Sequence, residues 1–147
     1  FMNKISSTEQ MQIFHSSREL LRDRRVTGDQ PKTWKRLEEE LKKSGLDEMR
    51  IRGITAALHA HIAHSSEHKP IRLLHPVEKE VISTEAWGVL IEAIHLGMIE
   101  NQAVDEMLEQ IAQWGRLPIK KESIELSLAN QWHNILSAGS ASNLLPN

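Results

Sequence analysis

The sequence predicts an all-α fold of about six helices, and three observations support this prediction. Apolar residues recur at helical steps of three and four along most of the chain, as Ile51 and Ile54 do. Residues that end helices, such as Gly45 and Gly97, fall between these periodic stretches. Residues 71–73 alternate like a strand, but an isolated strand needs a partner. We therefore expect at most one or two short strands.

The first two helices are defined by an apolar stripe and by the residues at their ends. The first is expected over residues 8–24, with four apolar side chains on one face around Ser17. Pro31 suits the first turn of a second helix, because that turn leaves its N–H groups unpaired in any case. The second stripe starts at Trp34, which we expect in the core. Gly45 should end this helix, because glycine adopts a left-handed backbone without strain.

The third helix is expected to follow almost at once. Asp47 can cap its first turn, and Leu46 and Ile51 flank the cap at the spacing of a hydrophobic staple. Pro70 prevents the helix from continuing. With the extended segment that follows, these three helices predict a winged-helix-like, helix-turn-helix-like unit over residues 1–69.

The fourth and fifth helices are expected to begin at capping residues. Ser83 or Thr84 precedes the apolar stripe of the fourth helix, and Gly97 follows it. Asn101 is the expected cap of the fifth helix, whose apolar positions alternate with acidic residues.

The last helix is expected over residues 121–136, where apolar positions again recur at helical steps. It should complete a C-terminal helical unit, residues 70–136, that packs on the first unit. Residues 137–147 are rich in serine, alanine and asparagine, and we expect a flexible tail there.

Composition excludes several classes of protein chemistry. The chain contains no cysteine, so disulfides, thiolate nucleophiles and thiolate metal sites are excluded. No apolar run approaches the roughly 20 residues of a membrane span, and the first residues lack the pattern of a signal peptide. We therefore expect a cytoplasmic protein that does not enter a membrane.

The excess of basic residues in the first half of the chain suggests nucleic-acid binding, and the acidic residues among them oppose it. Residues 1–69 hold 13 Lys and Arg against 10 Asp and Glu, whereas residues 70–147 hold 5 against 10. A recognition helix would present basic side chains outward, and the candidates are Arg50 and Arg52, with Thr55 and His59. Lys35 and Lys42 could contact phosphates, but three consecutive glutamates, residues 38–40, lie between them and would repel phosphates. Nucleic-acid binding is therefore the second hypothesis.

Histidines near the end of the third helix have part of the spacing of a metal site. His64 and His68 are four residues apart, a spacing that can share a metal ion, and His61 lies one turn earlier. No carboxylate except Glu67 lies at a matching step. We predict no metal and no cofactor, and whether His61, His64 and His68 bind metal stays open.

No catalytic motif is present, so the first hypothesis is a non-catalytic adaptor or regulatory module that binds another protein. The sequence has no glycine-rich phosphate loop, no nucleophile elbow and no His-Glu-x-x-His motif. Trp114 lies near a predicted helix end, where an exposed indole would mark a partner surface; core packing is the alternative.

A series of motifs between residues 33 and 136 occurs in an order that is typical of one bacterial family. They are the Leu37-x3-Leu41-x3-Gly45-Leu46-Asp47 spacing, Ile51-x2-Ile54, Ala57-Leu58, residues 71–78 around Pro76, Gly88-x-Leu90, Gly97-Met98-Ile99, the acidic helix after Asn101 and the final amphipathic helix. Over these residues the chain resembles the bacterial Smg family. Leu74 stands where an aromatic residue is usual, and the first helix is more polar than the family's apolar opening. The resemblance implies a small helical bacterial cytosolic protein, and it brings no assigned activity, cofactor or catalytic residue.

Overall fold

A computed structural model describes residues 7–64, 82–114 and 118–144 of the chain. Six helices account for most of these residues, and the all-α prediction is confirmed. In the same ranges the only strand-like pairing is an isolated parallel bridge between Ile82 and Ile119. Residues 71–73, where a strand was expected, lie outside the described residues. The helices are α1 Ser7–Thr27, α2 Pro31–Lys43, α3 Glu48–His64, α4 Thr84–His95, α5 Asn101–Trp114 and α6 Lys121–Leu144.

The chain divides into two compact units. The first comprises residues 1–67 together with residues 129–147, and the second comprises residues 68–128. This differs from the expected division, which assigned the whole last helix to the second unit. Residues near 69, where the boundary was expected, lie outside the described part of the chain.

The first unit contains α1, α2 and α3, and its core follows the predicted stripes. The apolar face of α1 is buried around Ser17, and Leu37 and Leu41 of α2 and Leu58 of α3 are also buried. Trp34 differs from its prediction, because it is only partly buried and lies at the border of the core. The buried apolar residues of α1 are Ile13, Phe14, Leu20 and Leu21.

The turn between α2 and α3 has the predicted chemistry. Gly45 has a φ of +94°, and its N–H donates to the Lys42 carbonyl at 3.1 Å. The N–H of Leu46 donates to the Leu41 carbonyl at 3.3 Å, which completes a Schellman motif. Asp47 Oδ1 then accepts from the Arg50 N–H at 2.8 Å, so the predicted cap of α3 is confirmed. Four residues therefore join the two helices, and they form hydrogen bonds with the end of α2 and with the start of α3.

The helix ends of the second unit have the same two kinds of hydrogen bonding, a side-chain cap and a Schellman motif. Ser83 Oγ accepts from the Ala86 N–H at 3.1 Å, which identifies Ser83 rather than Thr84 as the cap of α4. Gly97 has a φ of +76° and ends α4 in a second Schellman motif. Helix α5 starts one position earlier than expected: the Glu100 carbonyl accepts the first helical bond, and Asn101 lies inside the helix.

The expected flexible tail is wrong over residues 137–144, because α6 continues to Leu144. Alanine favours a helix, serine opposes it only mildly, and proline comes only at position 146. Gly139 alone costs about 1 kcal/mol relative to alanine, which is too little to end a helix of this length. Helix α6 thus contributes its first residues to the second unit and its later residues to the first.

Candidate interaction surface

The solvent-facing side of α3 contains more apolar residues than the sequence analysis predicted. Side chains at steps of three and four are exposed along its length, with Met49, Ala56 and Ala63 seven residues apart. Met49 is 84% exposed, which is high for a large apolar side chain. We call Met49, Arg52, Ala56, His59 and Ala63 the α3 face.

Arg50 is not part of the α3 face, and its predicted role as an outward reader of bases does not fit its position. Its side chain is only 31% exposed, and its Nη1 lies 3.0 Å from Glu9 Oε2 of α1. The side chain is directed towards α1, where the guanidinium meets the Glu9 carboxylate. Thr55, also expected outward, is half-buried and donates its hydroxyl to the Ile51 carbonyl at 2.8 Å.

The other three predicted nucleic-acid contacts are exposed. Arg52 is 79% exposed and lies 3.6 Å from Glu48 on the same helix. Lys35 and Lys42 are exposed on α2, and neither has an ion pair with a residue that the structure describes. Exposed glutamates interrupt this lysine surface, so its local charge is mixed.

A stacked aromatic pair joins α2 to the α3 face. The ring centroids of Trp34 and His59 lie 3.7 Å apart with an interplanar angle of 13°. The indole Nε1–H of Trp34 donates to Asp29 Oδ1 at 2.6 Å, and Arg24 Nε lies 3.6 Å from the same oxygen. The edge of the α3 face therefore includes part of an indole whose plane is fixed by two contacts. Sequence periodicity missed this pair because it placed Trp34 in the core.

A second polar group of residues lies where α1, α3 and α6 meet. His133 of α6 is half-buried, and both burial and the nearby positive charge of Arg50 lower its pKa, with burial the larger effect. The preceding residue, Trp132, is 1% exposed and makes an edge-on contact with His61 at a centroid distance of 5.0 Å. We call Glu9, Arg50, His61, Trp132 and His133 the three-helix junction.

The second unit has an open hollow at the starts of α4 and α6. It encloses about 450 Å³, and the hydrogen bond from the Ser83 N–H to the Ile119 carbonyl, 3.0 Å, holds its two sides together. Two lysines and two glutamates line it, so its charge favours neither anions nor cations. Its only hydroxyls are those of Ser83 and Thr84, and the Ser83 hydroxyl is used as the α4 cap. The lining residues are Ser83, Thr84, Glu85, Lys120, Lys121 and Glu122.

The remaining sequence-based site predictions concern the histidines of α3 and Trp114. Within residues 7–64, 82–114 and 118–144, no group of three or more His, Asp or Glu side chains is arranged to hold a metal ion. His61 packs against Trp132, whereas the side chains of His64 and Trp114, and all of His68, lie outside what the structure describes. The partner role predicted for Trp114 therefore stays a prediction.

None of the helices in the described ranges is long and apolar enough to cross a membrane. Comparison of the chain with known protein families, curated proteins and solved structures finds no match.

Proposed function

We propose that this chain is a non-catalytic protein-binding module and that its partner docks an amphipathic helix on the α3 face. The observation that carries the proposal is the heptad-spaced row of exposed residues Met49, Ala56 and Ala63 on a helix whose opposite side is buried. In helix pairs, residues at this spacing form one of the two rows that face the partner helix, and here the other row holds Arg52 and His59.

The size of these side chains favours a helix as the partner. Ala56 and Ala63 are small, so a second helix can approach closely and place larger apolar side chains against them. Met49 at one end of the row is flexible and can adapt to irregular apolar surfaces. Trp34, partly exposed beside His59, adds a rigid aromatic edge of the type that is enriched at protein interfaces.

Nucleic-acid binding is the second candidate, supported by the exposure of Arg52, Lys35 and Lys42. Useful non-specific affinity requires the neutralisation of several phosphates, about six or more. Arg50 is engaged with Glu9, and exposed Glu38 and Glu39 would repel phosphates. These features make protein binding the better-supported proposal. We also propose a bacterial, cytoplasmic setting and membership of the Smg family, supported by the cysteine-free composition and by the motifs of residues 33–136.

The test uses a photo-crosslinking amino acid at Ala56, with the exposed Gln110 of α5 as the matched control position. We expect a defined protein adduct from Ala56 and not from Gln110, identified by mass spectrometry. Binding of the purified partner should then weaken at least tenfold in Ala63→Glu, because a carboxylate would be buried at the seam. Gln110→Glu should leave the affinity unchanged.

Two outcomes would overturn the proposal. One is a partner whose affinity is unchanged in Ala63→Glu, or the same adducts from both positions. The other is salt-dependent binding of a labelled DNA duplex that is lost in Arg52→Ala and weakened in Lys35→Ala and Lys42→Ala, which would support the nucleic-acid candidate instead.

A further inference from the structure

Met49 on the α3 face differs from the other described methionines in its exposure to solvent. It is 84% exposed, whereas Met98 and Met107 of the second unit are 2% and 0% exposed, and Met11 of α1 is half-buried. Met2 lies outside the described residues. Susceptibility of a sulfur atom to oxidation follows its exposure, so an oxidant in solution reaches the Met49 thioether before those of the other described methionines.

The sulfur chemistry of this chain is confined to methionine, because the sequence contains five methionines and no cysteine. Thiolates, which react readily with peroxides, are therefore absent from the chain as competing sites. Oxidation of methionine to the sulfoxide is reversed by methionine sulfoxide reductases. Since the chain has no thiol of its own, the reducing electrons must come from such a separate enzyme.

Met49 supplies most of the apolar side-chain surface in its row of the α3 face. The other two members of the row, Ala56 and Ala63, each carry one methyl group, whereas Met49 carries two methylenes, a sulfur atom and a methyl group. The thioether is apolar and flexible, so it can fill a gap in a partner surface. The sulfoxide is polar, and an apolar contact would remove the bonds of its oxygen to water. One added oxygen atom therefore opposes docking at this end of the row.

We propose that Met49 is a reversible oxidation site that regulates docking on the α3 face: a peroxide converts its thioether to the sulfoxide, and the sulfoxide weakens binding of the partner helix. A sulfur lone pair attacks one oxygen of hydrogen peroxide, an S–O bond forms and the O–O bond breaks. The sulfur is oxidised by two electrons, and the second peroxide oxygen leaves as water with both protons. A methionine sulfoxide reductase reverses the change with the electrons of two thiols. The regulatory part of this inference rests on the function proposed above.

The first measurement treats the purified full-length chain with hydrogen peroxide and follows each methionine by peptide mass spectrometry. We expect Met49 to gain one oxygen at least about tenfold faster than Met98 and Met107, because the thioethers of these two residues are buried. Oxidation of Met98 or Met107 at the same rate as Met49, in a chain that circular dichroism shows to be folded, would overturn the inference.

The second measurement uses the protein adduct of the photo-crosslinking amino acid at Ala56 as its probe. The purified chain is oxidised, the peroxide is removed with catalase, and untreated lysate is then added, so that only the chain itself carries the modification. We expect the adduct yield to fall about tenfold, because the sulfoxide places a polar oxygen against an apolar contact. Treatment of the oxidised chain with methionine sulfoxide reductases and a thiol should restore the yield.

Two substitutions assign the effect to one side chain. In Met49→Leu, which keeps an apolar side chain of similar volume without sulfur, peroxide should leave the adduct yield unchanged. In the control Met11→Leu the yield should fall as much as in the wild type. A wild-type yield that peroxide does not lower or the reductases do not restore, or an equal fall in Met49→Leu, contradicts the inference and leaves the proposed function intact. Absence of the Ala56 adduct before oxidation contradicts the proposed function and, with it, the regulation that rests on it.

Discussion

The interiors of the two units differ in their polarity. In the described part of the first unit, the polar residues Ser16, Ser17 and Thr33 are buried, and Arg50 forms an ion pair with Glu9. In the described part of the second unit, the fully buried positions are all apolar. They are Ile82, Ala86, Leu90, Ala93, Met98, Ile99, Val104, Met107, Ile119, Ile124 and Leu128. The stability of an interior with polar groups depends on their protonation state and on their hydrogen-bond partners. The stability of an apolar interior depends mainly on how completely its volume is filled.

The largest expected effect tests whether apolar packing is equally strong in both units. Leu58→Ala in the first unit and Leu90→Ala in the second should each lower the free energy of unfolding by about 3 kcal/mol, because both leucines are fully buried. Urea denaturation monitored by circular dichroism measures both values. A cost below about 1 kcal/mol for Leu90→Ala would show that the second interior does not depend on close apolar packing.

A smaller effect is expected at the helix ends, where the two units share the same chemistry. Gly45→Ala should lower the free energy of unfolding by about 1–2 kcal/mol. The backbone at this position has a φ of +94°, and alanine, unlike glycine, is strained in that left-handed conformation. Gly88→Ala is the matched control within α4: its added methyl meets nothing within 4 Å, so it should stabilise by about 0.5–1 kcal/mol. If both substitutions change the unfolding midpoint in the same direction, left-handed strain is not what defines the α2–α3 turn.

The smallest effect separates two neighbouring serines in the polar interior of the first unit. Ser16 Oγ accepts from Gln12 Nε2 at 3.0 Å and donates to Glu40 Oε2 at 3.2 Å, so Ser16→Ala should cost about 1 kcal/mol. Ser17 Oγ has no hydrogen-bond partner among the described residues, so Ser17→Ala should be neutral or slightly stabilising. Chemical denaturation of the two variants side by side gives the comparison. A larger cost for Ser17→Ala would contradict it.

Local chemistry could be predicted from the sequence, and long-range contacts could not. Gly45, Asp47 and Gly97 act at helix ends through atoms within a few residues, and all three were identified from the sequence. Ser83 was one of two candidate caps, with Thr84, and the expected cap Asn101 lies inside its helix. The end of α6 was misplaced because residues 137–144 contain weak helix formers but no residue that forbids a helix.

The candidate site was only partly predictable for the same reason. The orientation of Arg50 depends on its ion pair with Glu9 of α1, and helical periodicity contains no information about which side chains of two helices meet. Arg52 and His59 were correctly placed outward, whereas Met49, Ala56 and Ala63 were overlooked because only polar side chains were sought there. The signal was available: exposed apolar residues recur every seven positions opposite the buried stripe.

The stack of Trp34 on His59 also gives the molecule an optical property. The emission of an indole responds to the groups that contact its ring, so the fluorescence of Trp34 depends on the position of His59, whose ring centroid lies 3.7 Å away. A helix that docks on the α3 face and displaces His59 would change this emission. The difference between the spectra of the wild type and of Trp34→Phe would isolate the signal from the other three tryptophans. Occupancy of this surface can therefore be followed by light, without an added label.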